Sequence, residues 1–331
     1  MNTMKKHTQK NKTATKSLLY IPLIALLALS ACNNRNEKPK EDKNPSSIEK
    51  SISEDSTNSV QQNAFNVEEI DGFWNKKLAD NKGFYRVAFP RTDISLKIDG
   101  DPVEAGLAYT SWIAYRPLGE NTQIMGDMVL LDTEIPKVVP YLKENGIAIT
   151  AVHNHLLREQ PRLIYMHIAG NGDALKLSKI MKGAYALTAT PLTETPDKNE
   201  NKGMDWAPVK KVLGGNGKES GNLLKYGFPR NGAIAMNGET MPPTFGIATA
   251  VGFQAINKDE AVITGDFVMR AEEVNAVIAE LAKNNIEVAA LHNHMLFEEP
   301  RLFYMHFWAK GNPEELAKGF KAALDRTSSV Q

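Results

Sequence analysis

Cysteine is all but missing from this chain: Cys32 is the only one among 331 residues. A lone thiol excludes any internal disulfide, so the fold must be held by its own core. An excess of one charge is missing too, since Lys and Arg number 39 and Asp and Glu also number 39. The longest apolar run, Leu18 to Leu29, is interrupted by Pro22. It falls short of the ~20 apolar residues that a membrane-spanning helix needs. Histidine is scarce, with seven residues in all, yet six of the seven crowd into two short stretches.

The N-terminus carries the first positive signal. Met1 to Lys16 holds five lysines and no acid, ahead of the apolar run. A basic head, an apolar middle and small residues before a cleavage point read as a secretory signal peptide. The run ends in Leu29-Ser30-Ala31-Cys32, which closely resembles a bacterial lipobox, whose cysteine is lipidated and becomes the first mature residue. Residues 1–31 are therefore expected to be a lipoprotein signal peptide, and Cys32 the lipid anchor of an exported cell-envelope protein. Asn33 resembles the class sent on to the outer membrane in a diderm bacterium. Residues 32–62 are rich in Asn, Lys, Glu, Asp, Ser and Pro, too polar to offset their ordering entropy, and are expected to form a disordered tether. Loss of residues 1–31 leaves 34 basic and 39 acidic residues, a net charge of −5 (34 − 39) with histidine neutral. No long basic run remains to neutralise phosphates, which argues against a nucleic-acid partner. The membrane, through Cys32, and an unidentified small molecule or envelope component are the expected partners.

The rest of the chain is a duplication. His153-Asn154-His155 and the stretch through His167 recur as His292-Asn293-His294 through His306, with eleven identities in fifteen positions at an offset of 139. Phe89-Pro90-Arg91 matches Phe228-Pro229-Arg230 and Gly126-Asp127 matches Gly265-Asp266 at the same offset, while Asp99-Gly100 matches Asn237-Gly238 at 138. Such self-similarity has to be recognised before any fold is assigned. The expected units are residues 63–190, including a leading helix, and residues 222–331, joined by a Lys-, Asn-, Pro- and Gly-rich linker over 191–221. Within the first unit, strands are expected over Phe84–Pro90, Ser95–Ile98, Leu107–Tyr115 and Gln123–Leu131, with Asp99-Gly100 as a hairpin turn. Gly126 marks a bulge or a close approach of backbone. A helix capped by Asp132, the strand Ile147–His155, the strand Pro161–Ala169 and a helix from Asn171 complete the unit. The class is α+β: two tandem units, each a mostly antiparallel sheet with helices on one face.

Alternate residues of a strand share a face, so His153 pairs in space with His155, and His292 with His294. If the next strand folds back with His153 opposite His167 and His155 opposite Tyr165, three imidazoles and a phenol converge. Three imidazoles on rigid strands suit a divalent transition metal, zinc foremost, with Cu, Ni, Fe or Mn as alternatives. The metal ligands expected are thus His153, His155, His167, His292, His294 and His306, in two sites or one shared site. Glu159 and Glu298 follow the second histidine by four positions, so His-x-His-x-x-x-Glu resembles the first metal motif of cupins, though the spacing to the third histidine and the cupin glycines do not match. Each glutamate is a candidate fourth ligand or general base beside a metal-bound water, which would make the site hydrolytic or oxidative. Arg162 and Arg301 could hold an anion or a salt bridge, and Asp127 and Asp266 could orient imidazole N–H groups. A non-catalytic module with structural or pH-sensing histidines is the competing expectation. The His-Asn-His … Pro-Arg-Leu-x-Tyr-Met-His stretch, duplicated behind a lipobox, resembles the LppY/LpqO family of bacterial lipoproteins over about residues 65–326. That resemblance implies export and duplication and supplies no activity.

Overall fold

A computed structural model describes residues 65–193 and 203–331. The expected signal peptide, the lipidated Cys32 and the tether lie outside the described residues.

The first repeat opens with α1 (Val67–Trp74), where the Asn66 side chain accepts hydrogen bonds from the N–H groups of Glu68 and Glu69. β1 (Ala79–Asp80) and β2 (Tyr85–Pro90) lead to a small arm of β3 (Leu96–Ile98), β4 (Asp101–Val103) and α2 (Ala105–Ala108). Next come β5 (Thr110–Leu118), β6 (Asn121–Leu131), α3 (Ile135–Glu144) and β7 (Ala148–His153). β8 (Glu159–Gln160), β9 (Leu163–Gly172) and α4 (Ala174–Tyr185) close the repeat.

The second repeat follows the same order. It begins with α5 (Ala207–Leu213), β10 (Lys218–Ser220) and β11 (Leu223–Pro229), followed by the arm strands β12 (Ala235–Met236) and β13 (Glu239–Thr240). β14 (Ala248–Ala255), β15 (Ala261–Met269), α6 (Ala271–Lys283) and β16 (Glu287–His292) come next. β17 (Glu298–Glu299), β18 (Phe303–Gly311) and α7 (Pro313–Leu324) end it. α5 and β10 fall in the stretch expected as a linker. Trp206 anchors them by sinking into the second core, so this repeat has its own leading helix.

Local chemistry accounts for most boundaries. Asp99-Gly100 and Asn237-Gly238 each place two consecutive residues at positive φ, as a tight hairpin turn requires. The strand expected from Leu107 starts only at Thr110, because residues 105–108 form α2. α3 begins at Ile135 with Glu134, not Asp132, at its cap position, and α4 begins at Ala174 rather than Asn171, capped by Asp173, whose carboxylate accepts from Lys176 N. Gly126 is a close approach: a Cβ there would lie 2.5 Å from the Trp112 carbonyl oxygen. At Gly265 the Ala250 carbonyl stands in the same relation.

Two six-stranded antiparallel sheets result, in the orders β1-β2-β5-β6-β9-β7 and β10-β11-β14-β15-β18-β16. The fold is α+β in both repeats. Strand alternation divides each sheet into two faces. Met166 and Ile168 of β9 join the core beneath the helices, whereas Leu163 and Tyr165 join a cluster that includes Val262 and Trp308 of the other repeat. A reciprocal cluster unites Tyr304 and Val268 with Ala114 and Met125. The helix-free faces of the two sheets thus look toward each other, and the arms fill the ends of the space between them.

The Phe-Pro-Arg landmark has a structural meaning. Arg91, wholly buried, binds Glu134 at 2.9 Å and donates to the Val129 carbonyl at 2.6 Å. Arg230 treats Glu273 and the Val268 carbonyl the same way, at 2.7 and 2.6 Å. Each pair fastens the end of a strand to the start of the helix that covers it.

Candidate metal centre

β9 lies between β6 and β7, so three strands carry side chains into one place. Asp127 stands directly opposite His167, and His153 opposite Tyr165. The register differs from the expected one, since Ala151 faces His167 after an irregularity between Ile149 and Ala151. The shift keeps the parity, so His153, Tyr165 and His167 still share a face. His155 lies beyond the end of β7, and its ring stacks on Tyr165 at 3.4 Å between centroids. The second repeat copies this, with Asp266 opposite His306, His292 opposite Tyr304, and His294 stacked on Tyr304 at 3.8 Å.

The two sets of three imidazoles form one cluster. His153 stacks on His292 at 3.5 Å, His155 on His306 at 3.6 Å, and His167 meets His294 at 3.7 Å. Each contact crosses from one repeat to the other. Groups able to close on a single ion, with ligand atoms within 4.8 Å of one another, are therefore mixed as well as local. His153, His155 and His306 form one, and His153, His167 and His292 another. Asp127 with His155 and His167 is a third, and Asp266 with His292 and His294 a fourth.

The donor chemistry suits a cation. Nδ1 of His153 donates to the Asn154 carbonyl (3.1 Å), that of His292 to Asn293 (2.9 Å), and that of His306 to Gly265 (2.9 Å). A ring nitrogen facing a carbonyl must carry the proton, so Nε2 of these three holds its lone pair toward the cluster. Those Nε2 atoms, and those of the other three histidines, are buried with no hydrogen-bond partner. The same holds for one oxygen each of Asp127 and Asp266. Unpaired buried polar atoms are costly, and a bound cation would satisfy them together. Burial pushes all six imidazoles below their ordinary range, His306 to about 3, which keeps them neutral as metal ligation requires. Burial, reinforced by the neighbouring Asp266, raises Asp127 to about 8. Asp127 and Asp266, expected to orient the rings, thus stand among the candidate ligands, and Asp266 approaches His294 Nε2 to 3.2 Å without hydrogen-bond geometry.

The glutamates do not join them. Among the described residues, no group that could close on one ion includes Glu159 or Glu298. β8 and β17 pair with β3 and β12, and the carboxylates accept from Leu163 N (3.4 Å) and Leu302 N (3.1 Å), which braces their own loops. Arg301 is spent in the same way on Glu298 and on the Leu296 carbonyl. Asn154 and Asn293, identical in both copies between two histidines, join the site in a role that their sequence position signals and the imidazole pattern does not. Their side-chain amides reach into the other repeat, to the Ala289 carbonyl (3.1 Å) and the Thr150 carbonyl (2.9 Å).

A tandem α+β protein with an imidazole cluster between its repeats is the class that fold and site define. Residues 68–187 and 207–326 both match a family described as Domain of Unknown Function (DUF1259). The chain belongs to that family and carries two copies of its domain. No curated protein matches the sequence. Among solved structures it has a likeness to the double-ringed trimeric shell protein MSM0271 of the RMM microcompartment, at 8% identity, covering 64% of this chain and 83% of that one, with a TM-score of 0.18. A second likeness is to the trimeric bacterial microcompartment shell protein PduB, at 10% identity, 76% and 95% coverage, and a TM-score of 0.19. Likeness at that level carries no argument about this protein.

Proposed function

We propose that this is a lipid-anchored cell-envelope protein that binds a divalent transition metal, zinc foremost, at one centre shared by its two repeats. The observation that carries the reading is the interleaving of six imidazoles, with unpaired Nε2 atoms, around two buried carboxylates. Anchoring through Cys32 and outer-membrane residence rest on the lipobox-like sequence alone. His153, His155, His167, His292, His294 and His306, with Asp127 and Asp266, would hold the ion. A bound ion of this kind supplies Lewis acidity or redox chemistry, depending on the metal. The chain's own residues orient the rings through backbone carbonyls and tyrosine faces and shield them from bulk water. A hydrolytic or oxidative activity would need a base, and Glu159 and Glu298, tied into their loops, are poorly placed for it. A pH-sensing role is disfavoured because burial lowers the imidazole pKa values below the ordinary 6.5 and keeps the rings neutral near pH 7.

The test is metal analysis of the purified full chain beside a His153→Ala, His292→Ala double variant. Stoichiometric zinc in the parent that is lost in a folded double variant is the expected result. A parent that stays metal-free, and whose thermal midpoint ignores added Zn, Cu, Ni or Mn, would leave only the non-catalytic binding module.

A further inference from the structure

The geometry points to the mouth of this centre as a pocket for a small organic or inorganic anion, a carboxylate or a phosphate, bound beside the metal. The inference rests on the metal-binding reading and names the ligand class for the same site. A cavity of about 280 Å³ opens between the sheets onto Asp127, His155, Asp266, His294 and His306. Arg86 on β2 and Lys225 on β11 line the same cavity from its exposed rim. They are equivalent residues, 139 positions apart, so each repeat contributes one cation.

Divergence between the copies has opened this cavity. Trp112 on β5 faces Asp127, and Ala250 on β14 faces Asp266 in the matching place. Ala114, opposite Arg86, is likewise replaced by Gly252, opposite Lys225. In the first repeat the Trp112 ring fills the inner face and carries the Arg86 guanidinium 4.4 Å from its centroid. In the second repeat both side chains are cut back, and Ala250 and Gly252 form part of the cavity wall. The Leu107 side chain of α2 comes within 2.8 Å of where a Cβ on Gly252 would sit, so α2 packs directly over this glycine. Repeat symmetry alone would have closed this space.

Charge decides the ligand. A divalent ion offsets the two carboxylates on the floor, the histidines are neutral, and the Arg86 guanidinium held over the Trp112 ring adds a positive charge at the mouth. A low-dielectric cleft concentrates that field on an incoming anion. Guanidinium presents a planar fork to a carboxylate or phosphate. The volume lies just under the usual range of ~300–1,000 Å³ for small-molecule sites, which restricts the ligand to a few heavy atoms.

The experiment loads the full chain with Co²⁺ and titrates it with succinate and, separately, with inorganic phosphate, reading the visible cobalt spectrum and calorimetric heat. We expect a saturable spectral change with at least one probe. Binding should weaken at least tenfold in Arg86→Ala and vanish in Ala250→Trp, which restores the first repeat's side chain, with cobalt content unchanged. Which probe binds separates the carboxylate from the phosphate source. A cobalt-loaded parent that ignores both probes, or variants that bind as well as the parent, would overturn the pocket. Failure to retain cobalt would sink the metal reading on its own. Calorimetry of the metal-free chain then decides: anion binding lost in Ala250→Trp keeps the pocket, and no binding removes it.

Discussion

Asn154 and Asn293 show why the residue between the paired histidines is the same in both copies. Each amide donates twice, once to its own loop (the Leu156 or Met295 carbonyl) and once across to the other repeat. The crossing bonds tie β7 to β16 and bring His153 over His292. A third crossing bond, from the Thr150 hydroxyl to the His294 carbonyl at 2.5 Å, reinforces them. A hydrogen bond of this kind contributes about 1 kcal/mol net, and more when its loss strands a buried carbonyl. Asn154→Ala and Asn293→Ala should each lower stability by ~1–2 kcal/mol. The double variant should also weaken zinc binding, because the imidazoles lose their fixed spacing without losing a ligand. Urea unfolding and competition with a chromogenic chelator would check both. Unchanged zinc affinity in a destabilised double variant would reduce these asparagines to loop braces.

At the scale of elements, identities at a fixed offset made the duplication readable, and strand parity made the convergence of each repeat's histidines readable. The register was not, because the irregularity between Ile149 and Ala151 depends on how β7 lies along β9. Nor could α2 be read: Ala105 to Ala108 is apolar enough for a strand, and packing against β14 decides it. The meeting of the two clusters was beyond sequence reasoning, since no periodicity says which sheet faces press together. Glu159 and Glu298 stand apart from the imidazole cluster for a related reason. Their spacing from histidine imitates a metal motif, while the pairing of β8 and β17 with the arms turns them to loop support. The Phe-Pro-Arg landmark was visible without its meaning. Arg91 and Glu134 lie 43 residues apart and meet only when α3 covers β2 and β6. Removing one member of a buried pair strands the other, typically at ~3–5 kcal/mol. Arg91→Ala should therefore cost about that much in urea unfolding, and Arg91→Met with Glu134→Leu clearly less. Equal losses in the two would mean that the backbone partners left behind, the Val129 carbonyl and the Leu131 and Ala189 N–H groups that Glu134 accepts from, carry the effect.

For the whole molecule, the buried centre makes stability depend on pH, and bound metal changes the shape of that dependence. In the metal-free protein all six imidazoles have folded pKa values below the ordinary 6.5, first because of burial. The unfolded chain then binds more protons below pH 6.5, so stability falls as pH drops through that value. Each uncoupled histidine adds about 1.4 kcal/mol per pH unit to this slope. Asp127, raised by burial to about 8, and Asp266, raised in the same direction, oppose it. They hold protons in the folded state that the unfolded chain releases near 3.8, so their contribution fades as pH rises toward 8. Six groups outweigh two on the acid side, and above pH 6.5 only the carboxyls still titrate. The metal-free thermal midpoint should therefore peak near pH 6.5, fall steeply on acidification and decline gently toward pH 8. Bound zinc requires neutral imidazole and ionised carboxylate, so its stabilisation grows with pH and should remove the gentle decline. Calorimetric melts of the full chain from pH 5 to 8, with chelator and with equimolar zinc, would measure both curves. Parallel curves would place the titrating groups outside any metal site, and a metal-free midpoint that rises on acidification would mean the imidazoles are not buried as neutral rings.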